Sequence, residues 1–268
     1  MKKLPAYLII VLVLAFLYAP ILILAFYSFT DAAQIGTFQS FSWQNYITLF
    51  TTPELRDMIV GTLLLALGSA LLATLLGTLG AVGAFYSRRG VNRAISSVNQ
   101  IPVINADVVT AFSICVLLVV VLGISKDTYI PLVVGHVVLS APFVYLSVVP
   151  KLKQMDSSLY EAALDLGATP FRALTRVVIP QISSGIVSGF MLAITLSLDD
   201  YFIATYTKPA TFDTISTYVV NATKGSHTEI KTALWALAAV IFVVVLLVVV
   251  VMNIRASKKS APAKEVRG

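Results

Sequence analysis

The chain has 268 residues, of which 58% are hydrophobic and only 12% charged, with a mean hydropathy of +0.90 and a net charge of +6. About 25% of a soluble domain's residues carry charge, so half of the usual solvating surface is missing and a water-soluble globular domain is excluded. The basic excess sits at the ends of apolar runs, which points to membrane topology and not to nucleic acid.

Six stretches reach the length of about 20 apolar residues that a spanning helix needs: residues 4–29, 59–86, 103–123, 130–149, 182–206 and 232–254. Lys2 and Lys3 precede the first as in a signal peptide. That run is too long for a signal core and lacks a small-x-small cleavage site, so it reads as a retained anchor. Phe41, Trp43 and Tyr46 follow in the first outer loop, an aromatic cluster suited to the membrane–water boundary. The second stretch is rich in small residues: Gly61, Gly68, Ala73, Gly77, Gly80, Ala81 and Ala84. Ala73/Gly77/Ala81 and Gly80/Ala84 repeat at i, i+4, which predicts close helix packing at the centre of a bundle. In the third, Cys115 excludes an intrachain disulfide by being alone and reads as a small buried apolar residue. Asp107, near the cytoplasmic start of that stretch, reads first as a helix-end residue and second, more weakly, as a candidate for the route of a cation. His136 and His227 complete no metal-ligand spacing.

Fourteen of the nineteen lysines and arginines fall at the N-terminus, in the second and fourth loops and in the tail. The positive-inside rule therefore predicts cytoplasmic N- and C-termini and a cytoplasmic fourth loop. Residues 255–268 are basic and without apolar periodicity, and read as a disordered cytoplasmic tail. The division predicted is an anchor helix and outer loop over 1–58, a transmembrane domain over 59–254 and the tail.

No Gly-x-x-x-x-Gly-Lys-[Ser/Thr] loop occurs, so the chain does not bind ATP by that device. Gly-x-Ser-x-Gly and His-Glu-x-x-His are also missing from the sequence. No catalytic residue, metal or cofactor is called for, and uphill transport would draw on a gradient or on a partner.

The fourth loop, residues 156–180, is the polar exception. Leu159, Ala162, Ala163 and Leu166 fall on one helix face at i, i+3, i+4 and i+7. Ser158 and Glu161 fit a capping box, and Gly167 is placed for a left-handed stop. Thr169-Pro170 reads as an N-cap with proline at the first helical position, and Pro180 is expected to close that second helix. Two short helices joined at a glycine are predicted.

Asp199 and Asp200 lie inside the fifth apolar stretch, where one acid costs about 2.5–3.5 kcal/mol on insertion scales. Either both reach the hydrated outer boundary, with a lysine as partner, or they mark the route of a cation, with Tyr201 and Tyr206 offering cation–π faces. Adjacent helix positions point about 100° apart, so one acid is expected to face the path and the other to pair with a neighbour.

Glu161-Ala162-Ala163, Gly167 and Val177-Val-Ile179-Pro180, at their spacing, resemble the EAA signature of bacterial ABC importer permeases. That signature ends Ile-x-Leu-Pro, from which Val177 and Ile179 depart conservatively. The resemblance implies an all-α type I permease of six spans, in which Glu161, Ala162, Ala163 and Gly167 form a coupling helix docked on a separate ATPase subunit. The N-terminal Ala-Tyr-Leu run, Phe41-Ser-Trp-Gln-Asn-Tyr46 and Ser197-Leu-Asp-Asp-Tyr201 further resemble PotC-type membrane subunits of spermidine/putrescine importers. This implies inward polyamine transport in the bacterial inner membrane, with a second permease chain, the ATPase and a periplasmic polyamine-binding protein. Asp199, Asp200 and Tyr201 would then lie on the substrate path. A gradient-driven cation transporter, a permease for another solute and a scaffold that recruits a soluble partner are the rivals.

Overall fold

The computed structural model describes residues 3–30, 40–156, 158–224 and 232–243, and they form an all-α protein. In chain order the helices are α1 (Lys3–Tyr27), α2 (Gln44–Thr51), α3 (Pro53–Tyr86), α4 (Arg89–Ile104) and α5 (Asp107–Cys115), the last continued by a π-turn over Val116–Val121. Then come α6 (Ile130–Gln154), α7 (Ser158–Asp165), α8 (Pro170–Ala173), a π-turn over Leu174–Val178 and α9 (Ile179–Asp199). α10 (Phe202–Thr207), α11 (Ile215–Lys224) and α12 (Thr232–Val243) complete the described chain. Four helical segments are long and apolar enough to span alone: Tyr7–Tyr27, Pro53–Tyr86, Ile130–Gln154 and Pro170–Asp199. α4 and the segment Asp107–Val121 are together apolar and long enough for a fifth span and are bent by 106° to one another, the shape of a broken span or of a re-entrant loop. Of the sixth expected span only α12 is described; 244–254 and the tail lie outside the described residues.

The chain divides into two compact units. One comprises residues 1–56 and 219–268. There α1 ends in a knot of aromatic rings: Phe29 stacks on Phe41 at 5.4 Å and meets Trp43 at 5.1 Å and Tyr46 at 5.0 Å. The buried Asn45 amide donates to the carbonyl oxygens of Ser28 (3.0 Å) and Thr30 (2.8 Å), which locks the turn into α2.

The other unit, residues 57–218, is built on α6. In a bilayer leucine gains nothing by leaving lipid, so helices meet on their smallest residues. α3 follows that rule: Ala66, Ala70, Ala73, Gly77, Ala81 and Ala84 are buried at helical spacing, while Leu63, Leu64, Leu67, Leu71 and Leu75 are exposed. At Gly77 a Cβ would sit 2.7 Å from the Ala141 carbonyl oxygen. α9 meets α6 in the same way through Gly185 and Gly189, where a Cβ would lie 2.8 Å from the Ser147 carbonyl oxygen and 3.0 Å from Val144 Cα. The predicted stripe on α3 therefore packs as expected, except that Gly80 touches Tyr145 only at van der Waals distance and Gly68 touches nothing.

Three expectations change. The second loop is not a loop: Asn92, Ser96 and Asn99 recur on one face of α4, so the helix climbs along α6. Ser96 Oγ lies 2.8 Å from Tyr145 Oη, and Asn99 Nδ2 donates to the Pro142 carbonyl oxygen at 3.3 Å. Pro180 does not close the helix begun at Pro170. The wider π-turn, in which the Ile179 amide reaches back to the Leu174 carbonyl, carries the chain past the proline's missing donor into α9. The fifth stretch is not continuous to Tyr206; it breaks after Asp199 and restarts as α10.

Candidate functional site

The 156–180 loop is built by its caps. The Asp156 carboxylate accepts the Ser158 amide at 3.0 Å and starts α7. The predicted Ser158–Glu161 capping box is displaced, because Ser158 is already the first helical residue. Donors on Ser158, side chain and then backbone, hold the Asp156 carboxyl below its ordinary value. Gly167, at φ +84°, ends α7 as predicted. Its amide donates to the Leu164 carbonyl (2.9 Å) and that of Ala168 to the Ala163 carbonyl (3.0 Å), the paired bonds of a Schellman stop. Thr169 Oγ1 then accepts the Arg172 amide at 3.4 Å with Pro170 at the first position of α8, also as predicted.

This helix–glycine–helix has two sides. Tyr160 turns inward, its ring 4.8 Å from that of Tyr86 at the end of α3. Leu159, Glu161, Ala162, Leu166 and Phe171 are exposed, Leu166 by 89%. Ala163 is half-buried, so the four-residue apolar face expected from the sequence is shared between the two sides. Glu161 makes no ion pair among the described residues.

At the other end of α9 the chain changes direction at two acids. Asp199 is the last helical residue and is exposed. Asp200 is extended (φ −68°, ψ 124°) and buried, and its two carboxylate oxygens accept the amides of Ile203 (3.2 Å) and Ala204 (2.8 Å). This carboxylate restarts the helix as α10, as an N-cap does, which explains the break in the span. Behind it lies a buried polar chain from three helices. Asp200 Oδ2 is 3.7 Å from His136 Nε2, His136 Nδ1 is 2.8 Å from Ser197 Oγ, and Ser197 Oγ is 3.2 Å from Ser69 Oγ. His136 lies six residues into α6, ~9 Å along it.

Asp107 and Asp199 are the carboxylates near enough to act electrostatically on Asp200. The helix-end reading of Asp107 is therefore incomplete by itself. α4 brings the chain up along α6 before the 106° bend, and α5, which Asp107 opens, packs on α10. Both Asp107 and Asp199 are exposed, and neither has a basic partner among the described residues. Lys208 is paired with Asp213 at 3.0 Å. Tyr201 is half-buried beside Asp200, and Tyr206 packs edge-on to Phe112 and accepts the Cys115 thiol at its carbonyl (3.2 Å).

Residues 73–258 match the family of binding-protein-dependent transport system inner membrane components. The chain belongs to that family. It is 31% identical over 232 residues to the spermidine/putrescine transport system permease protein PotC of Haemophilus influenzae, spanning 87% of this chain and 88% of that one. It is 30% identical over 261 residues to the putrescine transport system permease protein PotI of Escherichia coli, spanning 94% and 91%. Among solved structures, a chain of a bacterial alginate ABC transporter in complex with its alginate-bound periplasmic protein superposes with TM-score 0.72 over 96% of this chain and 95% of that one, at 21% identity. An amino acid ABC transporter chain gives TM-score 0.55 at 17% identity, covering 80% of this chain and 97% of that one. The protein is thus a multi-pass inner-membrane permease of type I ABC importer fold, a transport subunit.

Sequence reasoning on this permease missed the polar chain and one packing motif. Gly185-Ile-Val-Ser-Gly189 is a G-x-x-x-G pattern readable in the sequence. His136, set in an apolar run, is an intramembrane ionisable residue, which is by itself a signal. Its partners Ser197 and Ser69 stand 61 and 128 positions from His136 and Ser197 respectively, and carry no local signature.

Proposed function

We propose that this permease is one of two membrane subunits of an ATP-driven importer of polyamines, with both termini and the α7–α8 loop in the cytoplasm. The observation that carries the substrate class is the unpaired carboxylates of Asp199, at the break between α9 and α10, and of Asp107, at the start of α5. Acids set in apolar stretches without a basic partner call for a cation, and an organic amine supplies one along with hydrogen-bond donors. Asp199, Asp107 and Tyr201 meet the passing ammonium groups. Asp200 is committed to the α10 amides and fixes the shape of the break. Spermidine and putrescine are the substrates named for the relatives, and their chemistry agrees with this site. The fold alone does not choose the cargo, since the alginate importer shares it.

Coupling is assigned to α7. Leu159, Ala162, Leu166 and Phe171 offer an exposed apolar surface with Glu161 at its edge, suited to a cleft on an ATPase subunit. Tyr160 rests on Tyr86, so a push on α7 reaches α3 as a rigid-body displacement. A periplasmic polyamine-binding protein delivers the cargo. The test is ATP-dependent uptake of labelled spermidine and putrescine by the purified complex in proteoliposomes. Uptake that needs no ATP, or that excludes both amines, refutes the proposal.

A further inference from the structure

At the end of α3 opposite the acid cluster, a cavity of about 240 Å³ opens between α3, α4 and α6. Its apolar floor is Ala81, Ala84, Phe85 and Val149, and its polar wall is Asn92, Ser96, Gln100, Tyr145 and Lys153. The wall is organised by hydrogen bonds. The Ser96 hydroxyl donates to Asn92 Oδ1 at 3.2 Å, so its 2.8 Å contact with Tyr145 is one in which the tyrosine donates. With Oδ1 engaged, the Asn92 amide keeps its N–H groups free. The Gln100 amide and the Lys153 ammonium likewise have no partner among the described residues. No carboxylate lines the cavity, and Arg88, Arg89 and Arg93 flank Asn92 in sequence. The wall therefore offers N–H donors and positive charge over a greasy floor. That chemistry rejects an amine and fits an amphiphile with an anionic head.

We propose that this cavity holds the headgroup phosphate of an anionic phospholipid, gripped by Lys153, Asn92 and Gln100, with its glycerol and upper acyl chains over Phe85 and Val149. The inference rests on the proposed orientation only in assigning the lipid to the cytoplasmic leaflet. Phosphate clamped between α4 and α6 would tie the lower half of the broken span to the helix on which the unit is built.

The test is native mass spectrometry of the purified complex titrated with phosphatidylglycerol, with phosphatidylcholine of the same chains and with inorganic phosphate. Wild type is expected to retain phosphatidylglycerol about fivefold over phosphatidylcholine, the scale of one lysine at an anionic surface. Lys153→Gln should erase most of that preference, Gln100→Leu should weaken retention of both lipids, and millimolar phosphate should not displace the lipid. Both side chains are exposed, so neither change threatens the fold. Equal retention of the two lipids by wild type, or an unchanged preference in Lys153→Gln, overturns the site. Displacement by phosphate assigns it to a soluble anion and overturns the lipid. Uptake measured in parallel keeps this separate from the transport proposal, since amine transport with no lipid preference sinks the present inference alone.

Discussion

Replacing Gly167 by valine isolates the mechanical role of the loop. A Cβ there meets nothing within 4 Å, so the perturbation is purely one of backbone. At φ +84° an L-residue costs roughly 1–2 kcal/mol, and more for a β-branched side chain. The chain can relax by leaving the left-handed region, but it then loses the Leu164 and Ala163 carbonyl bonds, each about 0.5–1.5 kcal/mol net. Either route costs about 1–3 kcal/mol, a five- to 150-fold shift against the ordered loop. An eight-residue helix such as α7 has little stability of its own, so it frays. Gly123 supplies the control: its φ is +67°, a Cβ there also meets nothing, and it lies in the connection between the π-turn that continues α5 and α6. Gly167→Val is expected to lower ATP-dependent uptake per assembled complex by at least about fivefold, whereas Gly123→Val lowers thermal stability without changing it. Wild-type uptake in Gly167→Val, or an equal loss in Gly123→Val, would refute the reasoning.

Gly189→Leu drives a side chain into Val144 Cα at 3.0 Å, and overpacking of this kind costs about 1–3 kcal/mol or more. Melting in detergent should fall for it and stay put for Gly68→Leu, which faces open space. Asp200→Ala removes the acceptor of two α10 amides, about 0.5–2 kcal/mol by the cost of a lost cap. Hydrogen exchange at Ile203 and Ala204 should quicken in that variant and not in Asp199→Ala. Because the Asp156 carboxyl is depressed below its ordinary 3.8, its support of α7 is complete above that value and is lost only as pH falls through the lowered one. Exchange protection at the start of α7, corrected for intrinsic rates, should therefore be flat from pH 7 to 5 and decline below about 4.

The parts of this fold legible in the sequence are those set by local chemistry. Gly167 and Thr169 announce their caps because each satisfies backbone groups within five residues, and Pro170 because it removes a donor that the first turn would leave unpaired. The stripe on α3 is visible because lipid leaves small residues as the only contact surface. What escaped depends on long-range placement. A π-turn lets Pro180 pass inside a helix, and no local residue marks it. Asp200 breaks the fifth span because its carboxylate outcompetes helix continuation for two amides, a choice that hydropathy cannot register. Asp107 comes near Asp200 only because α4 climbs along α6, and the polar face that makes it do so looks in sequence like an ordinary cytoplasmic loop.

Asp199→Asn and Asp107→Asn, singly and together, bear on the substrate route most directly. Loss of a charge-assisted contact of about 1.5–3 kcal/mol should raise KM for spermidine roughly ten- to a hundredfold in each single variant and further in the double variant, while assembly with the ATPase subunit and basal ATP hydrolysis stay at wild-type levels. Unchanged spermidine uptake by the doubly substituted, fully assembled complex would contradict the assignment of these acids to the path.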